Sequence, residues 1–160
     1  MSVNIRPAQI GEIQELAQTG LAAWLKGIGT HVPDSVRKRI EQDNPFLPFL
    51  REMGSAILVA VVEGKAAGLG ACEHKDDLIS DIWVSPDFEG RGAGSALVRA
   101  LEREITSRGY SQARLEVMTE NHRAAALYRH LGYEVQWQAV KYDPILKMDL
   151  HKTGMAKQLR

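Results

Sequence analysis

Cysteine is almost absent: Cys72 stands alone in a chain of 160 residues. No intrachain disulfide can form, and a structural zinc site built on several thiolates is excluded. A lone thiol suits a reducing compartment, so the expected location is the cytoplasm. No charge of one sign is in excess either, because 20 Lys and Arg balance 20 Asp and Glu. Dedicated nucleic-acid binders usually carry a basic surplus, so no nucleic-acid partner is expected. Apolar runs are short, none approaching the ~20 residues that span a bilayer. The N-terminal M-S-V-N-I-R-P lacks the apolar stretch of a secretory signal. Neither a membrane partner nor a metal site is expected.

What remains is ordinary material for a folded core, with 44% hydrophobic and 25% charged residues. The expected organisation is one domain over 1–152, with 153–160 a frayed tail. Val3 and Ile5 alternate in a short strand closed by Pro7. Ile10, Ile13, Leu16, Leu21 and Trp24 then mark a helix that Gly20 could end. Pro33 opens a second, thinly apolar helix, and Phe46 to Met53 is left without an assignment. Ile57–Glu63, Ala67–His74 and Leu78–Val84, joined by short turns, read as an antiparallel meander. Gly68 and Gly70 within it point to a bulge or a close backbone approach. A helix from Gly94 to Arg108, a strand Gln112–Met118, a helix Asn121–Leu131 and two last strands complete the order β-α-α-β-β-β-α-β-α-β-β. The helix between Leu78–Val84 and Gln112–Met118 demands a parallel neighbour in an otherwise antiparallel sheet. The fold class is therefore α+β: a mixed, mainly antiparallel sheet with helices on both faces.

The chain is organised around Asp81 to Leu97, D-I-W-V-S-P-D-F-E-G-R-G-A-G-S-A-L. Strand, glycine-dense turn, then helix leaves main-chain N–H groups unpaired at a helix N-terminus, where they can bind phosphate. A dinucleotide fold fits poorly, since the turn follows a meander, and the G-K-[ST] of a P-loop is missing. Charge is also uneven here. Glu73, Asp76, Asp77, Asp81, Asp87 and Glu89 face only Lys75 among nearby lysines and arginines up to Glu89. Such a stretch either favours a cationic acceptor or is merely solvated.

The sequence V-S-P-D-F-E-G-R-G-A-G-S-A-L, followed by N-H-R-A-A-A-L-Y-R-H-L-G-Y from Asn121 to Tyr133, resembles the Gcn5-related N-acetyltransferase (GNAT) superfamily. The family's Q/R-x-x-G-x-G/A loop aligns with Glu89, Gly90, Arg91, Gly92, Ala93 and Gly94. Glu89 departs from it, and Arg91 is the nearby positive charge. The resemblance implies acetyl-coenzyme A as donor, coenzyme A as product and a splayed sheet of the acyl-CoA N-acyltransferase kind. It implies pantetheine pairing with the main chain of Ile82, Trp83 and Val84, and diphosphate held by the amides from Gly90 to Ser95. Asn121 and Ala124 would border the cofactor, with Tyr128 beside the thioester sulfur.

The implied activity is transfer of an acetyl group to a primary amine of a small molecule or peptide. A non-catalytic acetyl-coenzyme A sensor is the alternative. A phenol whose ordinary pKa is about 10 can protonate a departing thiolate, which makes Tyr128 the candidate acid. Where some relatives carry a glutamate base this chain has Leu78, leaving Asp81, Glu73 or water to take the amine's proton. Trp24, Phe46 and Phe49 are candidates for the acceptor pocket. A homodimer is open, as two-fold dimers are common among soluble proteins.

Overall fold

The structure, a computed structural model, describes residues 2–159. One short strand and three α-helices precede the central meander. Strand β1 (Val3–Pro7) leads into helix α1 (Ile13–Gly27), followed by α2 (Asp34–Asp43) and α3 (Phe46–Met53). Helix α1 does not end at Gly20 but runs to Gly27. A Cβ on Gly20 would lie 2.7 Å from the Phe46 ring, so this glycine lets α3 sit directly on α1. The unassigned segment is thereby explained: α3 is a two-turn helix whose Phe46 and Leu50 are buried. Its length is too short to show a helical period in sequence alone.

Strands β2 (Leu58–Val62) and β3 (Lys65–Ala71) are joined at Glu63-Gly64, both with positive φ, as a two-residue hairpin turn requires. The expected strand Leu78–Val84 is two strands. β4 (Leu78–Ile79) pairs in parallel with β6 (Gln112–Met118), whereas β5 (Asp81–Val84) pairs antiparallel with β3. Ser80 is the switch between them. Its N–H donates to the Ala71 carbonyl at 3.0 Å, and its Oγ accepts from the Glu73 amide at 2.8 Å. Two sheets result, ordered β1-β2-β3-β5 and β4-β6-β8-β7, with β7 covering Glu134–Asp143 and β8 Met148–Gln158. The chain splays where β5 leaves β4, which is the splay the family resemblance implies.

Helices pack on both faces of the first sheet. Alternation sends Ala60, Val62 and Ala67 toward helix α4 (Ala93–Ser107), with Leu97 and Leu101 fully buried against them. Val59, Leu69 and Ala71 face the other way, toward Leu16 of α1 and Leu50 of α3. Gly68 and Gly70 are a close approach. A Cβ on Gly68 would stand 2.8 Å from the Trp83 carbonyl oxygen and 3.4 Å from Leu97. A register shift also falls opposite them, between Ala60 and Val61.

The expected frayed tail is corrected. β8 runs to Gln158, paired on one side with β6 and on the other with β7, and Thr153, Gly154 and Met155 are buried. The sequence hides this strand because Gly154 has no side chain of its own to bury. Trp137 of β7 occupies the space, and a Cβ on Gly154 would fall 2.1 Å from its indole. Met1 and Arg160, which belong to the expected domain and tail, lie outside the described residues.

Candidate active site

Helix α4 begins at a left-handed turn. Gly90 and Gly92 have φ of 79° and 86°, a conformation that only glycine adopts without strain. Gly92 is the N-cap and provides no side-chain cap to the helix. Among the described residues, the main-chain amides of Gly90, Gly92, Ala93, Gly94 and Ser95 donate to no protein group. Those residues line one wall of a cavity of about 770 Å³ that also reaches Val84 and Glu120. The unspent amides at the positive end of a 15-residue helix fit a diphosphate without a lysine under each oxygen. Gly94 is held tight as well, since a Cβ there would approach Leu127 of helix α5 (His122–His130) to 3.0 Å.

The charge around this loop differs from the sequence expectation. Arg91 does not line the cavity: its guanidinium pairs with Glu63 at 2.9 Å and lies over the Phe88 ring. Glu89 does line it, and its carboxylate accepts from Lys26 at 2.6 Å and stands 3.6 Å from Arg123. The acidic departure from the family loop is thus compensated by cations from α1 and α5. Neither partner is flagged by the loop's own sequence, because they arrive from 63 residues before and 34 residues after it. Glu120 is another residue the sequence did not single out. It borders the same cavity, and its Oε1 is buried without a hydrogen-bond partner among the described residues. His31 and His122 also line the cavity.

The open edge of β5 forms the next part of the wall. Val84 faces Gly68, Trp83 faces Leu69 and Ile82 faces Gly70, while the Ser85 amide donates to the Ala67 carbonyl at 2.8 Å. Bonding alternates along an antiparallel ladder, so Trp83 spends its N–H and C=O on β3. Ile82 and Val84 present theirs to the cavity. Trp83 lines the cavity as well, but with its main-chain groups directed to β3 and not to the open edge. Its indole instead meets Phe46 edge-on, with ring centroids 5.3 Å apart, and donates Nε1–H to Asp81 Oδ1 at 3.0 Å.

Helix α5 closes the site. Asn121 is its N-cap, with Oδ1 accepting from the Ala124 amide at 3.3 Å. Asn121, Ala124 and Tyr128 line the first cavity and also a second one of about 330 Å³. Tyr128 is buried on the helix, but its hydroxyl makes no hydrogen bond among the described residues. Burial, with the Asp81 charge adding, raises this hydroxyl well above the ordinary phenol value, so it keeps its proton. Tyr133, which follows in the same motif, is structural: its hydroxyl donates to Glu102 at 2.7 Å.

Asp81 and Glu73 line the second cavity with Trp24, Phe46 and Phe49. Burial raises the Asp81 pKa, opposed by hydrogen bonds from Trp83 and from Ser80 Oγ at 2.7 Å. Strict alternation puts Asp81 on the face opposite Ile82 and Val84, and it is found there, beside Trp83. That face is the second cavity's wall. Glu73 is exposed at its rim. Tyr142 of β7 is exposed and does not line it. Burial also raises the Cys72 thiol, as suits a small core side chain outside both cavities. No cluster of His, Cys, Asp and Glu able to hold a metal occurs among the described residues, and no described helix is long and apolar enough to cross a membrane.

Comparison with known proteins gives the same picture. The model of the acetyltransferase (GNAT) family matches residues 21–133. Acetyltransferase YE1169 of Yersinia enterocolitica is 29% identical over 101 residues, 63% of this chain and 66% of that protein. A GCN5-related N-acetyltransferase from Rhodopseudomonas palustris superposes with a TM-score of 0.81, at 21% identity over 99% of this chain and 97% of that one. The PaiA N-acetyltransferase of Thermoplasma acidophilum, solved with coenzyme A, gives 0.74 at 16% identity over 99% of each chain. At such identities the solved structures speak for a shared fold.

Proposed function

The chain belongs to the acetyltransferase (GNAT) family, and on that premise we propose that it transfers an acetyl group directly from acetyl-coenzyme A to a primary amine. One observation carries the reading. The unspent amides at Gly90 and Gly92–Ser95 open on a cavity that meets a second cavity at Tyr128. A phosphate cradle and an acceptor chamber joined at a proton donor are what a direct transfer needs.

When bound, acetyl-coenzyme A supplies the acetyl thioester. The five loop amides would hold its diphosphate, and the free main-chain groups of Ile82 and Val84 would be the ones to pair with the pantetheine arm. The Val84 N–H would be the donor available to stabilise negative charge developing on the thioester carbonyl. Holding both reactants in one cleft removes the entropy cost of bringing them together. An incoming ammonium must first lose a proton, which Asp81 accepts directly or through a water at the rim near Glu73. The neutral amine nitrogen would then bond the acetyl carbon as the carbon–sulfur bond breaks. Tyr128 would give its proton to the departing sulfur and recover one, through solvent, from the second proton shed by the new amide nitrogen, while Asp81 would release the first to solvent.

Tyr128→Phe tests the assignment. Release of free thiol in the presence of amine should fall about 10²–10⁴-fold, with stabilisation by acetyl-coenzyme A retained. Unchanged turnover would remove Tyr128 from the chemistry. Binding with no turnover of any amine would leave the protein a sensor.

A further inference from the structure

The second cavity carries more information than the presence of an acceptor site. Its walls are Trp24 of α1, Phe46 and Phe49 of α3, Trp83 of β5, and Leu146 and Leu150 of the β7–β8 hairpin. Apolar side chains from four parts of the fold therefore converge on one chamber. At about 330 Å³ it lies at the small end of ligand pockets.

Polar groups occupy the margins, and most are already matched. Glu116 accepts from Lys141 Nζ at 3.2 Å, and the Asp143 carboxylate accepts the amides of Ile145 and Leu146 at 2.9 Å. Asp81 accepts from Trp83 Nε1 and Ser80 Oγ, but it and Glu73 form no ion pair among the described residues, and these two carboxylates border the chamber that Tyr128 also lines. Lys152 is the single cation among the described lining residues.

We infer, granting the acetyltransferase reading above, that this chamber selects a primary amine borne on an apolar and otherwise uncharged group. One ammonium is drawn to Asp81 and Glu73 beside Tyr128, and the carbon body attached to it fills the Trp24–Phe46–Phe49 bowl. A polyamine would carry its further charges onto apolar walls, toward Lys152, or toward Glu116 and Asp143, whose carboxylates already have partners. A multi-ring aminosugar would leave its hydroxyls without partners there. A free amino acid would set its carboxylate against Asp81. The shared chemistry has two sources, a free monoamine or the hydrophobic first residue of a peptide, whose carbonyl is a neutral amide.

The test uses the full-length protein with acetyl-coenzyme A and four acceptors at one pH: phenylethylamine, a peptide amide beginning with Phe, spermidine and kanamycin. The expected result is kcat/KM for phenylethylamine, the peptide or both about tenfold or more above the other two. Which of the first two leads identifies the source. Equal or better transfer to spermidine or kanamycin overturns the inference while leaving the acetyltransferase reading intact. Stabilisation by acetyl-coenzyme A with transfer to none of the four overturns both. Phe49 is only partly buried, so Phe49→Ser gives a second readout in a foldable variant. KM for the preferred apolar amine should rise about tenfold with KM for acetyl-coenzyme A unchanged, and an unchanged amine KM contradicts the proposal.

Discussion

On the proposed reading three side chains matter most, and each is set by what surrounds it. Tyr128 lies in a buried position near the Asp81 charge, both of which favour the protonated phenol. Its loss of a proton should therefore not limit the rate up to pH values near 10, the ordinary phenol value. Asp81 sits above the ordinary carboxylate value because burial outweighs the Trp83 and Ser80 hydrogen bonds. With Asp81 as base, kcat/KM should rise as pH increases through that raised pKa, and Asp81→Asn should flatten this limb; a pH–rate profile checks both. Glu89 is the residue where the family pattern misleads. Its carboxylate neutralises Lys26 and Arg123 at the cavity mouth, so Glu89→Gln should release two cations toward the phosphate loop. Coenzyme A affinity measured by calorimetry is expected to rise a few-fold at low salt, with the gain shrinking as salt screens the charges. An affinity that falls would show that the clamp, and not its charge balance, is what the loop needs.

At the scale of elements, the splay is fastened where β4 leaves its turn. Asp77 accepts from Arg114 Nη2 at 2.7 Å and from Nε at 3.0 Å, and its carbonyl accepts the Arg114 amide at 2.8 Å. The guanidinium holds the Asp77 carboxyl below the ordinary range. A lowered folded pKa means stability present above the unfolded value, about 3.9, and lost as pH falls through the folded one. Arg114→Ala should cost about 1 kcal/mol at neutral pH after allowing for solvent screening, and that cost should vanish in acid; denaturant melts at two pH values measure it. The pairing of β7 and β8 makes a second prediction. Gly154→Ala forces a Cβ into the Trp137 indole and should cost about 1–3 kcal/mol, read as a lower Tm. This strand also shows where sequence reading fails. The apolar alternation that exposes β2 and β3 is missing from K-T-G-M-A-K, whose burial is imposed by neighbours on both sides. The break at Ser80 escaped for a related reason, since Leu78–Val84 is continuous in propensity and only pairing with two different sheets divides it.

For the molecule as a whole, the phosphate loop and the Asn121–Tyr133 element were legible because glycines and caps are local signals. The two cavities meet where β5 and the second of these elements meet, and the second cavity's walls could be named only through Trp24, Phe46 and Phe49. The cations from Lys26 and Arg123, and the division of labour along β5, came only with tertiary structure. They depend on which helix lies over the loop and on which residue of a ladder faces β3. Acetyl-coenzyme A should stabilise the folded chain by linkage, about 2.7 kcal/mol at one hundred times its Kd. For a chain of this size that is a rise in Tm of about 5–10 °C. The most direct measurement is a titration of the nitrogen-15-labelled protein with coenzyme A, followed by amide chemical shifts. The account predicts that the largest changes fall on the amides of Gly90, Gly92, Ala93, Gly94 and Ser95, with Ile82 and Val84 next and Trp83 little affected. Saturation that leaves the loop amides unmoved would contradict it.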